Sequence, residues 1–145
     1  MSWQCWHTYG YGVKISELQA VSMSKVMDLV QTAPNYAKSL NKWLCDCEIQ
    51  EPTFEDLEDF DEDYGLGLAS ILSGIIEERE GIRLTACSDL DSETYLLFEQ
   101  TYPWRMSHLE KSLKEKDIQS LLVKYLSKIT DEPIAIDYYG PENGG

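Results

Sequence analysis

Residues 82–99 read Ile82-Arg83-Leu84-Thr85-Ala86-Cys87-Ser88-Asp89-Leu90-Asp91-Ser92-Glu93-Thr94-Tyr95-Leu96-Leu97-Phe98-Glu99, two runs of strand formers around a Ser/Asp-rich centre. β-Branched and aromatic side chains suit a pleated, half-buried surface, and short polar side chains such as those of Ser88 to Ser92 fold back onto their own backbone in turns. The pattern predicts an antiparallel hairpin with strands over 82–87 and 94–99.

On the C-terminal side, Ile118, Leu121, Leu122, Tyr125, Leu126 and Ile129 recur at helical spacing and give the cleanest amphipathic helix in the chain. Pro133 opens a last strand, in which Ile134, Ile136 and Tyr138 alternate with Ala135, Asp137 and Tyr139. On the N-terminal side, Leu68, Leu72, Ile75 and Ile76, widened by Ile71, form one face of a helix that ends near Gly81, a left-handed cap. Pro52-Thr53-Phe54-Glu55-Asp56 starts a further helix, with Thr53 as cap and carboxylates in the first turn, where the helix dipole favours them. Pro34 opens a helix with Tyr36, Leu40, Trp43 and Leu44 on one face, and Ser22 or Ser24 caps a shorter one holding Val26, Met27, Leu29 and Val30. Trp3, Cys5, His7, Tyr9, Tyr11 and Val13 share one parity and predict a strand over 3–13; Gly10 and Gly12 imply a bulge or a close approach by another chain.

Strand, helices, hairpin, helix and strand in that order define an α+β fold, with an antiparallel or mixed sheet of about four strands packed against helices. One domain is expected over 1–139. Residues 140–145 hold no large apolar side chain and are expected to form a flexible tail.

Hydrophobic residues make up 43% of the 145, including four Trp, nine Tyr and three Phe, enough for a core. No run of about 18–20 apolar residues marks a membrane span, and the start Met1-Ser2-Trp3-Gln4-Cys5 lacks the basic and apolar segments of a leader, so a cytosolic location is expected. Four cysteines are too sparse for a disulfide scaffold, and free thiols are expected.

Net charge is −14, and it is concentrated: +2 over residues 1–45, −12 over 46–78, −3 over 79–104 and −1 over 105–145. Between Lys42 and Arg79 no basic residue interrupts Asp46, Glu48, Glu51, Glu55, Asp56, Glu58, Asp59, Asp61, Glu62, Asp63, Glu77 and Glu78. Such a field repels nucleic acid and anionic membranes and attracts basic protein surfaces.

Asp59-Phe60-Asp61-Glu62-Asp63 has the alternation of a calcium loop, but Tyr64 falls where the turn needs Gly and Ser70 where the bidentate Glu belongs. Cys5, His7, Cys45 and Cys47 offer zinc ligands or a thiol centre, yet one-residue gaps do not suit a tetrahedral site. No nucleophile elbow, phosphate loop or paired-histidine motif is present, so no cofactor and no catalytic residue is assigned. A small metal-dependent or thiol enzyme built on those four residues is the alternative. Tyr102-Pro103-Trp104-Arg105-Met106 combines residue types common at interface hot spots, although large aromatics are more often buried.

Four stretches, His7-Thr8-Tyr9-Gly10-Tyr11-Gly12, Tyr102-Pro103-Trp104, Thr130-Asp131-Glu132-Pro133-Ile134-Ala135-Ile136-Asp137-Tyr138 and Glu142-Asn143-Gly144-Gly145, resemble small proteins carried by phages and mobile elements of Firmicute bacteria. The resemblance covers both ends and little of the middle, and it carries over no catalytic residues. It implies a setting in which small acidic proteins, anti-CRISPR proteins among them, inhibit bacterial defence by occupying basic nucleic-acid grooves. Carboxylates at i and i+4 on a helix repeat about every 6 Å, against about 3.4 Å per nucleotide step of one strand, so an acidic face can imitate phosphates. The expected function is a non-enzymatic inhibitor acting in the bacterial cytosol on a basic protein such as a defence nuclease. Glu51, Glu55, Asp56, Glu58, Asp59, Asp61, Glu62, Asp63 and Trp104 are its expected contacts. A phage accessory protein that binds through the aromatic segment is a further alternative.

Overall fold

The computed structural model describes residues 5–60, 66–99 and 103–144. Within them β1 (Cys5–His7) and β2 (Gly10–Lys14) precede α1 (Met23–Val30), α2 (Pro34–Asp46), α3 (Phe54–Phe60) and α4 (Leu68–Glu80). The hairpin β3 (Thr85–Ser88) and β4 (Thr94–Glu99), then α5 (His108–Ser112), α6 (Glu115–Leu126), β5 (Ile136–Tyr139) and β6 (Glu142–Gly144) complete the order.

The main sheet runs β3-β4-β2-β5 and is antiparallel throughout. Val13 pairs with Leu96 on one side and Ile136 on the other, and Leu96 pairs with Ala86, which places these four side chains on one face. Helices cover that face. α6 lies on β2 and α4 on β3 and β4, while α1, α2 and α3 pack around α4. Ile71, Leu72, Ile75 and Ile76 of α4 and Ile118, Leu122, Tyr125 and Leu126 of α6 are buried against Val13 and Leu96, as their helical spacing predicts. Gly81 caps α4 in the left-handed conformation, φ +70°, and Ser22 caps α1.

On the opposite face Leu97, Tyr95 and Cys87 form a second, smaller buried group with Tyr139 against it. Burial pushes the Cys87 thiol up to about 11, so it packs as a small hydrophobe. The close approach implied by Gly12 comes from β4 of the same chain: a Cβ there would sit 2.1 Å from the Leu96 carbonyl oxygen.

Four expectations are corrected. The strand expected over 3–13 is, in its described part, two strands in different sheets: β1 ends at His7, the Thr8 N–H donates to the Pro141 carbonyl at 3.1 Å, and β2 begins at Gly10. Of the tail expected over 140–145, residues Glu142 to Gly144 form a strand, because Cys5, Trp6 and His7 pair with Gly144, Asn143 and Glu142; backbone ladders need no apolar side chains. The hairpin's first strand starts at Thr85 rather than 82, since the Arg83 N–H is taken by the Glu110 carboxylate at 3.0 Å and the Leu84 carbonyl by the Ser73 hydroxyl at 2.7 Å. The last strand starts at Ile136. Its outer edge is blunted where the Tyr138 N–H bonds its neighbour Asp137's carboxylate at 2.8 Å.

No described helix is long and apolar enough to cross a membrane.

Candidate partner-binding face

The acidic block begins where α2 stops. Cys47 caps the helix, the Glu48 N–H donates to Cys45 O at 3.0 Å, and the Ile49 N–H reaches back to Leu44 O at 2.9 Å. This is a Schellman ending, whose left-handed position glycine normally fills. Here Glu48 fills it, at φ +58°. A residue with a Cβ pays about 1–2 kcal/mol for that conformation. The helix dipole also disfavours anions at this end, yet Asp46 and Glu48 both lie there, with no basic residue in the last turn. Glu48→Gly is therefore expected to raise the unfolding free energy by about 1 kcal/mol, read as a melting temperature about 2–4 °C higher.

Two residues pin α3 to the core. Leu57 is fully buried, and Phe60 meets Trp43 and Tyr36 edge-on at ring centroid distances of 5.4 and 6.2 Å. At 100° per residue this turns Glu55, Glu58 and Asp59 outward, and all three are exposed, as are Asp46, Glu48 and Glu51. None of these six forms an ion pair among the described residues, whose pairs are Lys14–Glu17, Arg83–Glu110 and Lys124–Glu80. Asp56 differs. Its carboxylate accepts from the Thr53 N–H at 2.8 Å while its own N–H donates to the Thr53 hydroxyl at 3.2 Å, a reciprocal cap that leaves it half-buried. Asp61, Glu62 and Asp63 lie outside the described residues.

Trp104 is 74% exposed in a short 3-10 turn, Pro103–Arg105, and Leu109 nearby is 46% exposed, so the tryptophan is not tucked onto the sheet. It does not join the acidic face. Phe54 and Glu58 of α3 share a groove with Ser92 and Thr94 at one end of β4, whereas Arg105 and Met106 share one with Phe98 and Glu99 at the other. Five residue steps at about 3.4 Å separate those ends by roughly 17 Å.

No match emerges from comparison with protein-family models, curated proteins or solved structures. Cys45 and Cys47 are exposed at the end of α2, His7 stacks on Tyr9 at 5.5 Å in the N-terminal strand region, and His108 opens α5. Among the described residues no three His, Cys, Asp or Glu side chains converge to hold a metal ion.

Sequence reasoning missed two features of this face. Phe54, 41% exposed beside the carboxylates, stands three residues before Leu57, a spacing that predicts the buried face, so its exposure had no signal. The left-handed backbone of Glu48 had no signal, because glycine is absent from the position that needs it.

Proposed function

We propose that this protein is a non-enzymatic inhibitor that lays the face carrying Asp46, Glu48, Glu51, Glu55, Glu58 and Asp59 against a basic nucleic-acid-binding surface of another protein, in the setting implied by its phage-like stretches a bacterial defence nuclease. The observation that carries the proposal is that these carboxylates are exposed and without an ion-pair partner among the described residues, while two of them occupy helix-end positions where local physics disfavours them. A surface kept only for solubility mixes both signs and avoids such positions. Two turns of α3 project charge over about 10 Å, the length of three nucleotide steps.

Association steered by charge weakens with salt. Immobilised protein is expected to retain a nucleic-acid-binding protein from bacterial lysate at about 50 mM salt and to release it near 500 mM. Glu55→Lys, Glu58→Lys and Asp59→Lys together are expected to weaken that retention at least about ten-fold with an unchanged circular dichroism spectrum. If nothing that binds nucleic acid is retained at low salt, the reading fails. Exposure of Trp104 and Leu109 favours a second reading, an accessory protein that docks through this turn. In that case Trp104→Ala abolishes capture and the charge reversals leave it intact.

A further inference from the structure

Charge does not account for Phe54. In the first turn of α3 it leaves 41% of its surface exposed, and with Leu18, Val21, Leu66 and Leu68 it lines an open groove of about 320 Å³ with Glu58 at its side. That volume lies at the floor of the range for small-molecule sites, about 300–1,000 Å³, and suits one bulky side chain. The far wall is already in place. Glu132 accepts from the Gln19 and Ala20 N–H groups at 2.8 and 3.1 Å, the Thr130 hydroxyl donates to the Ala20 carbonyl at 2.8 Å, and the Ser16 hydroxyl ties to Glu93 while accepting from the Thr94 N–H at 3.1 Å. Gly67, at φ +57°, lets the chain entering α4 pass under Glu58: a Cβ there would stand 3.0 Å from the Glu58 Cγ. A groove held this way loses little freedom on filling.

Among the described residues no lysine or arginine lines the groove, and Glu55, Glu58 and Asp59 share the helix that forms its side. We infer that the groove docks a segment of a partner protein presenting one bulky aliphatic or aromatic side chain flanked by lysine or arginine. The apolar side chain enters between Phe54, Leu18 and Val21, and the flanking cations meet Glu55, Glu58 and Asp59. Charge complementarity selects this occupant, since a second copy of the chain brings a net charge of −14 towards the same carboxylates. The inference rests on the acidic-face reading and adds what the partner must present besides charge.

Two synthetic pentapeptides test it, one with leucine and one with serine between two arginine–lysine pairs, each titrated into 15N-labelled protein at low ionic strength. The leucine peptide is expected to bind about ten-fold more tightly, with its extra amide shifts at Leu18, Val21 and Leu68. Phe54→Ser is expected to remove that preference and leave the affinity for the serine peptide unchanged, its amide dispersion reporting that the domain is folded. Equal affinities for the two peptides, or leucine-dependent shifts around Trp104 and Leu109, overturn the groove while the acidic face stands. If neither peptide binds, the acidic-face reading falls with it. Groove shifts that grow with protein concentration alone assign the site to a second copy and overturn the inference.

Discussion

Glu110→Ala is expected to lower the unfolding free energy by about 2–4 kcal/mol, read from urea titrations, out of a total of about 5–15 kcal/mol for a domain. Glu110 is 4% exposed, and its carboxylate accepts from the Arg83 backbone N–H, from Nε at 3.3 Å and Nη2 at 3.0 Å of the same arginine, and from the Ser107 N–H at 3.0 Å. It is thereby the only carboxylate among the described residues that joins the start of the hairpin to α5, and the Arg83 guanidinium also bonds the Arg105 carbonyl. Removing it leaves the backbone N–H groups of Arg83 and Ser107 without their acceptor, while the Arg83 guanidinium, 57% exposed, keeps water and the Arg105 carbonyl as partners.

The same carboxylate sets a pH dependence. Hydrogen bonds from Arg83 outweigh burial and hold Glu110 at about 2, below its ordinary 4.5. Its folded-state value is the lower one, so its contribution is complete above about pH 4.5 and drains away as pH falls towards 2. Glu80 and Asp89 are lowered as well, Glu80 mainly by Lys124 and Tyr125, Asp89 by Tyr95 and two backbone N–H groups against its burial. Glu110→Gln is therefore expected to flatten part of the acid unfolding profile between pH 4.5 and 2. A mutant profile parallel to that of the parent refutes the assignment.

Leu57→Ala is the second large effect, about 2–5 kcal/mol from lost burial and the cavity left behind. α3 has seven residues, and its core-facing side rests on Leu57 and the Phe60 ring cluster. A helix so short does not persist without packing. Amide exchange in α3 is expected to accelerate more than in α4, and partner retention should fall although every carboxylate is still present. Retention unchanged by Leu57→Ala would mean that the acidic segment acts as a loose chain and not as a presented helix.

The elements that were legible in the sequence are those in which a repeating apolar pattern or a turn residue marks them: α4 with Gly81, α6 with five of its six expected apolar positions, Ile129 falling beyond its end, and the hairpin with Asp89, whose carboxylate takes the N–H groups of Asp91 and Glu93. What escaped reading is carried by backbone or by tertiary contact. Alternation from Trp3 to Val13 assigns faces, but it does not say that the chain changes sheet at Thr8, because the change is made by a bond to Pro141, more than a hundred residues away. The Ser107 and Glu110 spacing of a capping box is the sequence signal for α5, and it carries with it the carboxylate that accepts most hydrogen bonds among the described residues. For the candidate site, sequence identified the block of acids. The division between exposed Glu55 and cap-bound Asp56, and the groove beside Phe54, depend on how α3 sits on α4.

The pairing of Cys5 with Gly144 and of Gly10 with Tyr139 also decides how the molecule answers to tension. In both pairs the outer ends leave from the same side of the ribbon, so a pull on the two ends of the described chain opens rungs one at a time instead of shearing many together. Such a scaffold yields from its terminal ribbon inward, and the load reaches β5, the neighbour of β2, before it reaches the hairpin strands or the acidic helix.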